Sequence, residues 1–451
     1  MTAVEAQKSA QQATAQAGAW VSGLRWDDVP PRVRGRLGLV LLDTLGVCLA
    51  GAREEEQRRL VEAWRPAPGP APLLGAGRTT TVEASAWLNA AALVRLELDE
   101  GNKYAKGHPA AHAFPAVLAL AADLRASGPE TMAALLAAYE VASRFGRATS
   151  LRAGAHPHGS WGVAGAAAGC ARLLGLGADQ AAAAVDTGAG LPVAGHFGSA
   201  LDGNPVRDAW MAASNLSGLA AARMAQAGVA RNTGTAAIAL GELLGGFDPG
   251  AVADGLGERW DVELGYFKRH AACSFTHPAA DVVLALRPEI PLDAVQEIVV
   301  ETHALAAGLT STTWDSRLGA LFSTPFVVAA ALVHGHVRPS ASSGDALHDP
   351  RVAALAGRVV VREAADLTAR LPAERAARVT VRGVSGAVTR EVPNPVGDSA
   401  YHPMDAAALQ DLLAELLGPA TAAEVARCAA ETATADDVSI PLRRLACTST
   451  P

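Results

Sequence analysis

Residues 295–302 read VQEIVVET, a run of strand length rich in β-branched side chains, and its reading decides the fold. Two more segments resemble it. Residues 358–362 (RVVVR) and 378–382 (RVTVR) cluster valine in the same way, and Gly383–Gly386 turns the chain into 387–392 (AVTREV), a predicted hairpin. A helical segment, Ser323–His334, separates the first two. The middle of the chain is therefore α+β. Outside it the pattern is helical.

Toward the N-terminus, Trp26-Asp27-Asp28-Val29-Pro30-Pro31 marks a helix start, since proline suits the first turn, where its missing N–H costs nothing. Leu37, Val40, Leu41 and Leu45 then recur three and four residues apart until Gly51. Residues 66–72 (PAPGPAP) predict a rigid surface turn. Helix is expected again over Thr81–Leu98, from Gly128-Pro129-Glu130, over Trp161–Leu174 and from Arg207. The last of these carries Ala212, Ala213, Ser214, Gly218, Ala220 and Ala221, small residues that let helices approach closely. Toward the C-terminus Asp405 is a candidate N-cap, with Leu409, Leu412, Leu413 and Leu416 on one stripe before Gly418-Pro419. These readings give a mainly α protein. Residues 1–270 together with 400–451 form a large all-helical domain, and 271–399 a smaller inserted α+β domain. Clefts between such domains are where small molecules usually bind.

Half of the 451 residues are hydrophobic but only 4% are aromatic, so the core must be built from Ala, Leu and Val. A net charge of −7 argues against nucleic acid as a partner, since phosphate binding needs a basic face. Residues 1–18 show no secretory leader pattern, and no run reaches the roughly 18 uninterrupted apolar residues of a membrane span. The Ala/Gly-rich region 162–195 comes closest, interrupted by Arg172, Asp179, Gln180 and Asp186. Five scattered cysteines (Cys48, Cys170, Cys273, Cys428, Cys447) form neither a disulfide framework nor a CxxC metal site. The expectation is a cytoplasmic protein with no membrane or nucleic-acid partner.

Chemistry concentrates in residues 266–280, YFKRHAACSFTHPAA, which put Lys268, Arg269, His270, Cys273 and His277 within ten residues. Only four lysines occur (Lys8, Lys103, Lys106, Lys268), and a partly buried lysine, unlike arginine, can be tuned to lose its proton. Lys268 beside two histidines and a thiol is a candidate acid–base or anion-binding centre. Upstream, Leu96-Glu97-Leu98-Asp99-Glu100-Gly101 closes a predicted helix. Carboxylates there oppose the helix dipole, and a broken local rule points to function, with a solvated helix end as the plain alternative. His108-Pro109 opens the next helix, and residues 151–160 (LRAGAHPHGS) form a loop presenting His156 and His158.

The order of these features is distinctive. An acid-rich segment precedes a His-Pro, a His-Pro loop opens a Gly/Ala helix, and Arg207 lies eleven residues before Gly218. Then come Lys268-x-x-x-x-Cys273-x-x-x-His277-Pro278-Ala279 and Gly397-Asp398-x-x-x-x-Pro403. Together they resemble the MmgE/PrpD family, which includes 2-methylcitrate dehydratase, cis-aconitate decarboxylase and iminodisuccinate epimerase. The resemblance runs from about residue 20 to the C-terminus. It implies a helical domain with a smaller α+β lid, a homodimer, no metal or other cofactor, and a small di- or tricarboxylate substrate. By position it carries the family's acidic residue to Glu97 or Asp99 and its histidines to His108 and His156. Its lysines fall on Arg207 and Lys268, and the residue five beyond the second on Cys273. Gly101 stands where many members have threonine. Arg207 in place of lysine keeps carboxylate binding but excludes proton transfer.

The step such enzymes share is proton transfer α to a carboxylate. That C–H is so weakly acidic that it needs a positioned base and cations to stabilise enolate-like charge. The expected proton-transfer groups are His108 and His156, with Lys268 as carboxylate binder or second acid/base. Asp99 would orient a histidine or act as base, and Cys273 would be an acid whose thiolate Lys268 favours. Arg207 would clamp a carboxylate with both arms of its guanidinium, with Glu97 and His277 as further substrate-binding residues. The plainer readings are that the histidines cap helices, His277 included, that Cys273 is a buried structural thiol, and that Arg207 lies at the surface. The sum is a cofactor-independent lyase of dehydratase type acting on a small polycarboxylate. Isomerase, epimerase or decarboxylase chemistry on a related acid is the alternative. A metal-dependent hydrolase is the weaker rival, because His334-Gly335-His336 and the His108/His112 pair lack carboxylates on their own elements.

Overall fold

The computed structural model describes residues 2–384 and 386–448, and it is mainly helical, with 59% helix and 12% strand. The helices form where apolar residues recur at helical spacing behind good caps. Thr81 Oγ accepts the Ala84 N–H (3.2 Å), Ser127 Oγ accepts the Glu130 N–H (3.4 Å), and Pro31 occupies the first turn of its helix. Helices Ala3–Gly23, Pro31–Ala52, Val82–Val94, Pro109–Leu124, Gly128–Ala148, Val163–Leu173, Ala178–Ala189 and Val206–Gln226 make up the N-terminal part. Ala406–Leu417, Pro419–Thr432 and Ser439–Cys447 return to the same core, which is continuous from Ala13 to Ala271 and resumes at Met404. Asp405 Oδ1 accepts the Ala408 N–H at 2.9 Å, as the sequence predicts. The buried stripe behind it is Leu409, Leu412, Leu413 and Leu417, with Leu416 only half-buried.

Small residues set the helix spacing. A Cβ at Gly218 would lie 2.3 Å from the Ala166 Cβ, so Val206–Gln226 can press on Val163–Leu173 only with glycine there. Among the described residues the helix long and apolar enough to cross a membrane is Pro31–Ala52, not the 162–195 region, and 72% of its apolar window is buried inside the fold. Its Leu37, Val40, Leu41 and Leu45 pack the core. Part of 66–72 is also more than a surface turn, because Ala71–Leu73 is a buried strand paired with Arg78–Thr80.

The valine-rich segments form one four-stranded sheet. Val295–Thr302 lies inside it, parallel to Val359–Glu363 and antiparallel to Ala377–Gly383, which in turn pairs with Gly386–Val392. Ile298 thus sits between Val359 and Val381. Ser385, in the expected turn, lies outside the described residues. Helices His277–Leu286 and Thr324–His334 pack on this sheet and close a second core built chiefly between Ala272 and Val381. The changeover from one core to the other falls at Ala271 and Ala272, inside the histidine- and cysteine-bearing loop.

Candidate functional site

Beside that changeover lies a small cavity of about 60 Å³, room for a few waters, lined by Glu97, His108, His156, His158, Arg207, Tyr266, Cys273, Ser274 and Arg375 among others. A wider groove of about 660 Å³ runs past Gln57, Arg65 and Arg78, but no imidazole or thiol lines it. The smaller cavity is the candidate site.

Its floor begins where the Val82–Val94 helix stops, four residues short of the expected Leu98. The chain then turns through Glu97, whose φ of +53° is a left-handed conformation that costs a non-glycine residue free energy. The two-residue strand Gly101–Asn102 pairs with Gly265–Tyr266 and so brings the acids against the Lys268 loop. A Cβ at Gly101 would lie 2.4 Å from the Tyr266 hydroxyl, so glycine, in place of the threonine the resemblance suggests, makes room for that ring.

The acids are not a solvated helix end. Glu97, Asp99 and Glu100 are all buried. Glu97 and Asp99 are held there by two buried cations. Lys268 Nζ lies 3.2 Å from Glu97 Oε2 and 3.4 Å from Asp99 Oδ1, and Arg207 Nη1 pairs with Glu97 Oε1. Both expected carboxylates therefore belong to one cluster. Burial alone would lower the Lys268 pKa, but Asp99 and Glu97 push it above its ordinary value, so the ammonium keeps its proton. Burial alone would raise Asp99, yet His108, Lys268 and Arg207 hold it below the usual carboxylate range. Arg207 is buried rather than superficial, and the carboxylate it meets is the protein's own. Glu100 behaves differently. It accepts the Tyr139 O–H at 2.5 Å and the Ala110 N–H at 3.3 Å, and burial pushes its carboxyl up to about 8.

The two expected imidazoles share the cavity but are held differently. His108 occupies the cap position of Pro109–Leu124 without capping it. Its Nδ1 instead lies 2.7 Å from the Glu100 carbonyl oxygen and 3.1 Å from Asp99 Oδ2. A carbonyl only accepts, so Nδ1 carries the proton and the neutral ring keeps a lone pair at Nε2. His156 Nδ1 accepts the His158 N–H at 3.1 Å, so its neutral ring carries the proton at Nε2. Its ring is wedged between Phe197 and Trp210. Burial, and for His156 the Arg207 charge, lower both pKa values and keep the rings neutral. Nitrogen by nitrogen, the pair are opposite tautomers.

His158 bridges them, its ring 5.3 Å from His108 and 4.3 Å from His156, with Nδ1 3.2 Å from Arg207 Nη2. The sequence names it only as the second histidine of a loop. Cys273 lines the cavity, but burial pushes its thiol up to about 11, so the thiolate expected beside Lys268 does not form. His277 does not reach the cavity. Its Nε2 lies 3.0 Å from the Ala272 carbonyl and its ring packs on His270, which pairs with Asp281 at 2.9 Å. His277 is not among the residues that line the cavity, and Thr276 rather than His277 holds the cap position of His277–Leu286. Tyr266 and Ser274 line the site from within the 266–280 stretch, though the sequence assigns neither a role, and Arg375 lines it without any local signal in the sequence. Among the described residues, no group of three or more His, Cys, Asp or Glu is placed to hold a metal ion.

Two family models match the chain, the MmgE/PrpD N-terminal domain over residues 15–247 and the MmgE/PrpD C-terminal domain over residues 270–437. Among curated proteins, a cis-aconitate decarboxylase of Aspergillus terreus is 27% identical over 62% of this chain and 61% of its own length. The chain thus spans under two thirds of that relative. A second cis-aconitate decarboxylase of Aspergillus terreus is 25% identical over 84% of each chain. The cis-aconitate decarboxylase-like protein oryM of Aspergillus oryzae is 25% identical over 74% of this chain and 77% of its own.

Proposed function

Because the chain belongs to the MmgE/PrpD family, we propose that it is a cofactor-independent lyase of dehydratase type that moves a proton α to a carboxylate of a small polycarboxylate. The observation that carries this reading is the pair of neutral imidazoles in opposite tautomers on one cavity. His108 offers a lone pair at Nε2 and takes the α-proton, and Asp99 together with the Glu100 carbonyl stabilises the imidazolium that results. His156 offers a proton at Nε2 and gives it to the departing hydroxyl. Each positioned group supplies roughly 10²–10⁴-fold. Lys268 does not act as a base. With Arg207 it fixes Glu97 and Asp99, and through Asp99 the ring of His108.

The same pair suits epimerisation, in which the His156 proton returns to the opposite face of the carbon, and decarboxylation, in which it quenches the carbanion left by CO₂. The names of the relatives make cis-aconitate the first compound to try, with citrate beside it. In this reading residues 271–399 act as a lid, and the working unit is a cytoplasmic homodimer that needs no metal. Proton NMR of either compound with the enzyme in D₂O tests the proposal. Solvent deuterium should enter the product, or the returned substrate, at the carbon beside a carboxylate. No exchange and no turnover with any polycarboxylate would sink it. Elemental analysis of active protein separates the hydrolase rival, which requires bound metal in stoichiometric amount.

A further inference from the structure

Two buried cations, Arg207 and Arg375, line the cavity with the exposed Lys106, and a third buried cation, Lys268, lies against Glu97 beside it; among the described residues only two of the three buried ones have a carboxylate partner. Arg207 and Lys268 are neutralised by Glu97 and Asp99, and nearby Lys103 is paired with Asp398 at 2.9 Å. Arg375 lines the cavity, is 6% exposed, and has no carboxylate within ion-pair distance among the described residues. The hydrogen bonds of its guanidinium are long and all to neutral groups. They are 3.4 Å to the Tyr266 hydroxyl, 3.3 Å to Ser274 Oγ and 3.5 Å to the Lys103 carbonyl. The guanidinium lies over the rings of Tyr266 and Phe275, with centroids at 5.4 and 5.3 Å. Aromatic faces orient a cation without replacing the anion it lacks. A buried charge left unpaired is destabilising, so its retention points to an anion that completes it.

We infer that Arg375 binds a carboxylate of the substrate, with Ser274 Oγ and the Tyr266 hydroxyl as accessory donors. The substrate class rests on the function proposed above, and the inference adds where one of its charges sits. Arg375 comes from the segment leading into the Ala377–Gly383 strand, whereas His108 and His156 come from the helical core. An acid held by Arg375 at one carboxylate and worked on by the imidazoles beside another would join the two parts of the fold. That requires at least two carboxylates and disfavours monocarboxylic acids. The planar fork matches a carboxylate at two points, which lysine cannot do.

The test is calorimetric binding of tricarballylate, a saturated tricarboxylate, to the wild-type chain and to Arg375→Met and Arg375→Lys. Arg375→Met should weaken binding 10- to 100-fold, and Arg375→Lys should recover part of the loss. The thermal midpoint of ligand-free Arg375→Met should match or exceed that of wild type, because an unpaired buried charge has gone. A purely structural arginine would lower that midpoint and leave affinity intact, and either result overturns the inference. If the wild-type chain binds no polycarboxylate, the proposed function fails and takes the anchor with it. If wild type and Arg375→Met bind equally, the anchor alone fails.

Discussion

Replacing Lys268 by methionine removes the cation that the buried acids share. Its ammonium is fully buried, 3.2 Å from Glu97 and 3.4 Å from Asp99. At an effective dielectric of ~20 each contact corresponds to about 5 kcal/mol of Coulomb attraction, set against several kcal/mol for taking each ion out of water. The net value of the cluster is small. Breaking it is not, because Asp99 is left buried with only His108 and the more distant Arg207 to balance it. The expected cost is about 3–5 kcal/mol of stability at pH 8. The uncompensated Asp99 should also raise the pKa of His108 and draw a proton onto it, removing the base. Urea unfolding midpoints measure the first effect and the acid limb of kcat/KM against pH the second. Asp99→Asn in the Lys268→Met background should restore at least half of the lost stability, because the orphaned charge has gone. Losses that simply add in the double variant, or a single variant as stable as wild type, would refute the charge-compensated cluster.

Three further outcomes follow from the same geometry. Glu100 keeps its proton up to about pH 8 in the fold but only to about 4.5 when exposed, so stability should fall as pH rises through that window, by up to about 5 kcal/mol; Glu100→Gln should flatten this slope in urea midpoints taken from pH 5 to 9. His108→Ala and His156→Ala should each cut kcat by about 10²–10⁴-fold, and the wild-type acid limb should lie below pH 6.5, since both rings are held neutral in the fold; steady-state rates across pH check both. Iodoacetamide at pH 8 should modify exposed Cys447 and spare Cys273, whose thiol is buried and protonated, and peptide mass spectrometry would report the reverse if the site thiol were activated.

What the sequence revealed, it revealed through local pattern. Caps and periodicity place the Asp405 helix and the Pro31 helix, and clustered valines place Val295–Thr302 and its partners, because those signals act over a few residues. The assembly of His108, His156, Asp99 and Lys268 came from the order of motifs, and the geometry supplies their partners. What stayed hidden depends on contacts far apart in the chain. Glu97 and Asp99 resemble a wet helix end until Lys268, 171 and 169 residues away, is seen to neutralise them. Arg375 is one arginine in an arginine-rich chain, and what distinguishes it is that it is buried beside the cavity with no counter-charge among the described residues. His277 misled because its motif lies beside Cys273, yet the loop turns its ring back to the Ala272 carbonyl. His158 was legible as a residue but not as the bridge between two other rings.

The imidazole ¹⁵N shifts of His108 and His156, read by long-range ¹H–¹⁵N correlation at pH 7.5 in histidine-labelled protein, report directly which nitrogen of each ring holds its proton. The expected spectrum shows two neutral rings, His108 protonated at Nδ1 and His156 at Nε2. Two imidazoles of the same tautomer, or either one doubly protonated at that pH, would contradict the division into base and acid.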